Sequence, residues 1–127
     1  MSEHHDYIGT EVAIIGVACR YSGSANVEEF WYNLKNGKKG IKHFTDEDLL
    51  NAGETKEMLN SENYVKAGSI LEDKDCFDAN FFGYTPREAE VMDPQMRVFH
   101  EVVWEALEDS GYLASDKTLQ VGLYGSS

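Results

Sequence analysis

Apolar residues along the chain fall into runs of two kinds. The first kind is short and continuous. Residues 11–17, EVAIIGV, are apolar and partly β-branched at nearly every position, which predicts a strand buried on both faces, as in a parallel sheet. Residues 120–125, QVGLYG, predict a second short strand. The second kind recurs at helical spacing. Phe30, Trp31 and Leu34 lie on one side of a helix. Val98, Phe99, Val102, Val103, Ala106 and Leu107 form a broad stripe on a longer one, with Arg97, Glu101, Glu105 and Glu108 expected to face outward.

Polar residues between these runs mark where the elements begin and end. Residues 20–26, RYSGSAN, read as a turn. Asn26 then caps the first helix, Glu28 and Glu29 suit its positive end, and Gly37 closes it between Lys35 and Lys38. Thr45 with Asp48 makes a capping box for a short helix over TDEDLL, and a weaker helical stretch surrounds residues 57–59. Residues 64–71, YVKAGSIL, suit an extended segment, and Glu72–Asp75 a solvated acidic turn. Thr85-Pro86-Arg87-Glu88 is a second capping box with proline at the first helical position. That helix stops at Asp93-Pro94, because the residue before a proline resists helical geometry; Asp93 is then free to cap the long helix starting at Pro94, which Gly111 ends.

Composition narrows the function classes. The 127 residues suit one domain, and 42% hydrophobic with 27% charged residues is a globular balance. A net charge of −12, from 11 basic and 23 acidic residues, disfavours nucleic acid and anionic membrane surfaces as partners. No apolar run approaches the length of a membrane span, and MSEHHDYIGT lacks the apolar core of a signal peptide. Cys19 and Cys76 are therefore expected as reduced thiols in the cytoplasm. Residues 1–10 read as a polar lead and residues 11–127 as the domain proper.

The candidate chemistry is thin. The glycines of GVACRYSG fit neither a Walker loop nor a dinucleotide-binding turn. Cys19 has Arg20 beside it but no base, and neighbours on an extended segment point apart; a small buried apolar role suits it, and Cys76 as well. His100 opens HEVVW, where Trp104 occupies the position of a zincin's second histidine, so it reads as an ordinary helix residue. His43 reads as a polar loop group, and His4 and His5 as a solvated tail with nothing near to complete a metal site. Glu72–Asp75 lacks the glycine and ligand spacing of an EF-hand. The residues alone imply no catalytic, cofactor-binding or metal site.

Three strings taken together nevertheless resemble one family. They are VAIIGVACRYSGSANVEEFWYNLKNGK, then FDANFFGYTPREAEVMDPQMRVFHEVVWEALEDSGY, then VGLYGSS. From about Glu11 to the end, the chain resembles the N-terminal part of a β-ketoacyl synthase, the ketosynthase of modular polyketide synthases or hybrid peptide–polyketide synthases. It departs from the family pattern at Tyr21-Ser22, where Phe-Pro is usual, and at Met96-Arg97-Val98, where Gln-Arg-Leu is usual.

The resemblance implies an α/β chain with a partial thiolase-like fold: first strand, helical insertion, long core helix and later core strand. It implies decarboxylative condensation of acyl and malonyl-type thioesters carried on the phosphopantetheine of an acyl carrier protein. It also implies a homodimer in the complete domain, with no cofactor bound directly. The family's acylated cysteine and two catalytic histidines lie beyond the closing strand, and none matches a position here. Cys19 matches a cysteine of the family's first turn that is not acylated. The chain is thus expected to be an incomplete piece, not catalytic alone, that works with the remainder of the ketosynthase in the same or a separate chain. The alternatives are one half of a split enzyme, or a non-enzymatic structural or docking module. A reading frame continuing into a Cys-Ser-Ser elbow would distinguish them.

Overall fold

The computed structural model describes residues 9–112 and 120–126. Five helices and one two-stranded sheet follow in the order α1 (Val27–Lys35), β1 (Lys42–His43), α2 (Asp46–Asn51), α3 (Lys56–Leu59), β2 (Ala67–Gly68), α4 (Pro86–Val91) and α5 (Pro94–Asp109). The strands pair antiparallel, Lys42 opposite Gly68 and His43 opposite Ala67, and the Phe44 N–H extends the pairing to the Lys66 carbonyl at 2.9 Å.

Each helix starts where a side chain satisfies its free amides. Asn26 accepts from the Glu29 N–H at 2.8 Å, and the Glu29 carboxylate accepts from Ala25 N–H at 2.8 Å. Both capping boxes are closed: Thr45 with Asp48, and Thr85 with Glu88. Asp93 holds an extended ψ of 133° before Pro94 and accepts from the Gln95 N–H at 2.8 Å. Gly37 and Gly111 take positive φ just beyond α1 and α5, where a left-handed residue closes a helix.

Helix α5 is the organising element. On one face His100 and Trp104, one turn apart, meet the loop of residues 77–84. Trp104 packs edge-on to Phe81 at 4.8 Å, and His100 meets Phe82 at 5.7 Å and Tyr84 at 5.5 Å. On another face lies the N-terminal segment. Gly16 sits so close to the Ala106 carbonyl and to Ser110 that a Cβ there would overlap both, and the Val17 N–H donates to Asp109 Oδ2 at 2.8 Å. The closing segment approaches α5 near its start, where a Cβ on Gly125 would lie 3.0 Å from the Phe99 ring.

Four expectations change. Residues 11–17 and 120–125 form no hydrogen-bonded ladder among the described residues, and they are open to solvent: Val12 is 90% exposed, Ile14 88% and Tyr124 95%. A strand buried on both faces needs a partner for its backbone and a layer on each side, and the described residues supply neither. His43, read as a polar loop group, lies with Lys42 in β1 and pairs with the predicted extended stretch, because strand backbone groups close only against another segment. Arg97, Glu101 and Glu105 are half-buried, not outward, because the turn at Cys19-Arg20 and the loop before α4 cover that side of α5. Cys76 is exposed, not buried, on the turn that follows Asp73, whose φ is 56°. The buried hydrophobic core of the described residues is confined to Leu59; the α5 stripe is half-covered.

Candidate functional site

The densest polar constellation lies where the N-terminal turn crosses α5. The Arg20 guanidinium grips the Glu105 carboxylate through both of its terminal nitrogens, Nη1 at 2.7 Å and Nη2 in a shorter contact. The same Nη1 donates to the Ala25 carbonyl at 2.6 Å and the Cys19 carbonyl at 3.3 Å. One side chain therefore closes the 19–25 turn on itself and ties it to the helix. The turn is tightened by a reciprocal pair of backbone bonds between Tyr21 and Ser24, at 3.0 and 2.9 Å, and by stacking of Tyr21 on Phe30 at 4.5 Å. Gly23 supplies the positive φ that this turn requires.

This arrangement decides the state of Cys19. Burial pushes its thiol pKa up; Arg20 pulls it down and Glu105 pushes it up again. Burial outweighs the pull of the guanidinium, which is shared with the Glu105 carboxylate, and shifts Cys19 toward the thiol. The Glu105 hydrogen bond likewise raises Arg20 above its ordinary value. Burial, with Glu105 adding to it, raises the Glu101 carboxyl, while Arg20 draws it back. Two turns before Glu105 on α5, the Nε of Arg97 is buried without a hydrogen-bond partner among the described residues.

The remaining candidates are dispersed. His100 Nδ1 lies 2.6 Å from the Met96 carbonyl and so donates to it, leaving Nε2 to accept from the Tyr84 hydroxyl at 3.1 Å. Both ring nitrogens are thereby engaged inside the aromatic cluster. His43 is exposed on β1, and Cys76 is exposed on its turn. His4 and His5 lie outside the described residues. No group of three or more metal-ligating side chains gathers among the described residues. The Arg20–Glu105 bridge was missed by sequence reasoning, which placed Glu105 on the solvent side of an amphipathic helix. Helical spacing says which residues share a face, but not which distant segment will cover it.

Beside the bridge, an open and mainly apolar groove of about 740 Å³ runs along α5. Cys19, Leu71, Met96, Phe99 and Val102 line it, with Gly125 at one end. None of the described helices is long and apolar enough to cross a membrane.

Comparison with known proteins gives these features a context. The family model for the beta-ketoacyl synthase N-terminal domain matches residues 9–127. The chain is 40% identical over 110 residues to the polyketide synthase PksN of Bacillus subtilis, covering 87% of this chain and 2% of that protein. It is 44% identical over 110 residues to the polyketide synthase PksL of the same organism, covering 86% of this chain and 2% of that one. Among solved structures it is similar to ketosynthase twelve of the bacillaene polyketide synthase of Bacillus amyloliquefaciens, with TM-score 0.67 and 40% identity over 76% of this chain and 17% of that one. The module 1 ketosynthase of the bacillaene synthase gives TM-score 0.64 and 42% identity over 79% of this chain and 17% of that one. The chain thus spans a small part of the relatives it matches. With the match running from the N-terminal turn through α5 to the closing segment, this chain belongs to the beta-ketoacyl synthase N-terminal domain family, in the form found in polyketide synthases.

Proposed function

We propose that the chain serves as part of a polyketide-line ketosynthase, supplying scaffold for the decarboxylative condensation of acyl and malonyl-type thioesters and no catalytic side chain of its own. One observation carries this reading. Two segments with strand-like apolar sequence, residues 11–17 and 120–125, approach α5 through Gly16 and Gly125 yet lie open to solvent. Such surface asks for further layers of the same fold.

The chemistry agrees with a scaffold role. Condensation needs a thiolate to hold the acyl group and hydrogen-bond donors for the enolate formed as carbon dioxide leaves. Burial shifts Cys19 toward the thiol, and both nitrogens of His100 are occupied. In this reading the acyl groups arrive as substrates on the phosphopantetheine arm of a carrier protein, in the cytoplasm, and the complete ketosynthase acts as a dimer. What the chain's own residues contribute is placement: Arg20 and Glu105 fix the first turn on α5, and with it the end of the segment at residues 11–17.

A chimera tests this. Residues 9–126 replace the matching stretch of the bacillaene module 1 ketosynthase, and condensation of acyl and malonyl thioesters on a carrier protein is followed by mass. The chimera should turn over and the isolated chain should not. Condensation by the isolated chain, or a well-folded chimera that cannot turn over, would overturn the proposal.

A further inference from the structure

The acidic character of the chain is unevenly spread. From Phe30 to Thr45 there is no aspartate or glutamate, while Lys35, Lys38, Lys39 and Lys42 fall within that stretch. Seven basic residues are left against 23 acidic ones elsewhere. The favourable charge of a cation near a helix C-terminus accounts for Lys35 alone, the last residue of α1. None of the four lysines is in an ion pair among the described residues.

The same stretch exposes large apolar side chains. Trp31 and Tyr32 are each 55% exposed, and lysines sit over their rings, Lys35 Nζ 5.6 Å from the Trp31 centroid and Lys38 Nζ 4.8 Å from that of Tyr32. Next to them a hollow of about 470 Å³ has Phe30, Leu34 and Ile41 in its wall and Lys38 and Lys39 beside them. Glu29 also borders the hollow, but its carboxylate is bonded to the Ala25 amide.

We infer that this α1 face is a docking surface for an acidic segment of a partner protein, one that seats an apolar side chain in the hollow and sets carboxylates against Lys35, Lys38 and Lys39. Charge complementarity selects that occupant. A nucleic acid or an anionic bilayer would extend past the patch onto the strongly acidic remainder of the chain and be repelled. A short acidic segment touches the patch alone, and charges more than about 8 Å away are screened at physiological salt. The inference does not depend on the catalytic reading.

The test uses the full chain and a fluorescein-labelled peptide of alternating glutamate and aspartate around one leucine and one phenylalanine. Binding is read by anisotropy at low and physiological salt. The peptide should bind, weaken as salt rises, and lose about tenfold in affinity to the Lys38→Glu/Lys39→Glu variant. The Lys38→Arg/Lys39→Arg variant should bind as the parent does. Far-UV circular dichroism unchanged between the variants excludes unfolding as the cause. A peptide with glutamine and asparagine in place of the acids should bind at least tenfold more weakly, which separates docking from apolar adhesion. The proposal is overturned if the acidic peptide does not bind, if the charge-reversed variant or the neutral peptide matches it, or if phosphatidylserine vesicles compete more strongly than unlabelled peptide.

Discussion

The stretch between residues 26 and 110 and the segments flanking it obey different rules. In the stretch, each helix opens on its own side-chain cap, and α2 and α4 carry full capping boxes. The flanking segments, residues 11–17 and 120–126, carry strand-like apolar sequence, yet among the described residues they have no ladder and little cover. Helix hydrogen bonds close within one segment, so local sequence suffices to build them. Strand hydrogen bonds close only between segments, so an apolar strand sequence states a need that neighbours must meet. Where the flanking segments are fixed, they are fixed by α5, through Gly16 at Ala106 and Ser110 and through Arg20 at Glu105.

The strongest challenge to this contrast is Gly16→Val. Its side chain would collide with the Ala106 carbonyl and with Ser110, whose amide nitrogen and Cβ lie 2.8 and 2.9 Å from the point a Cβ at this position would occupy. In the chimeric ketosynthase it should destabilise by about 3 kcal/mol, the upper range for overpacking, measured by urea unfolding. An unchanged midpoint would show that the N-terminal segment does not dock on α5 as described.

Arg20→Ala removes the bidentate bridge and two carbonyl contacts at once. Because the pair is partly solvated, a cost of about 1–2 kcal/mol is expected rather than that of a buried ion pair. The variant should also let iodoacetamide reach Cys19 faster, by loosening the turn that covers it. In the parent, alkylation of Cys19 should be slow at neutral pH and slower than that of exposed Cys76, and mass mapping of the labelled peptides reads both rates. Rapid labelling of Cys19 in the parent would contradict its raised pKa.

Within the self-capped stretch, Asp93→Ala should cost about 1 kcal/mol through the lost cap of α5. Equal stability of the variant and parent chimeras would show that Pro94 alone starts the helix.

How much of this was legible in the sequence follows the same division. Asn26, Thr45, Thr85 and Asp93 announced their helices because a cap acts within three residues of itself. Gly111 announced the end of α5 for the same reason. Arg20–Glu105 spans 85 positions and left no local signal. The packing of Phe81 and Phe82 onto Trp104 and His100 was equally hidden, since spacing placed His100 and Trp104 on one helix face but did not name the loop that would meet them. Burial, the main reason the Cys19 thiol pKa rises, comes from the turn's packing on α5 and was likewise not legible in the local sequence.

The smallest expected effect is acid sensitivity of the capping boxes. Hydrogen bonds from Thr45 hold the Asp48 carboxyl below its ordinary value, and those from Thr85 do the same for Glu88. A carboxyl depressed in the folded state stabilises fully above its unfolded pKa and loses that contribution as pH falls through the folded one. The amide shifts of Asp48 and Glu88 should therefore move with midpoints below those of the same carboxyls in the unfolded chain. Movement centred at the unfolded midpoints or above would place these carboxylates outside their boxes.

Amide hydrogen exchange tests the contrast most directly, measured on the isolated chain and on the chimeric ketosynthase. In the isolated chain, amides of α5 should be protected while those of residues 12–15 and 121–124 exchange freely. In the chimera, both segments should gain protection of at least about a hundredfold, as strands covered by their neighbours do. Free exchange of the two segments in a folded, active chimera would contradict the claim that they are core strands waiting for the rest of the fold.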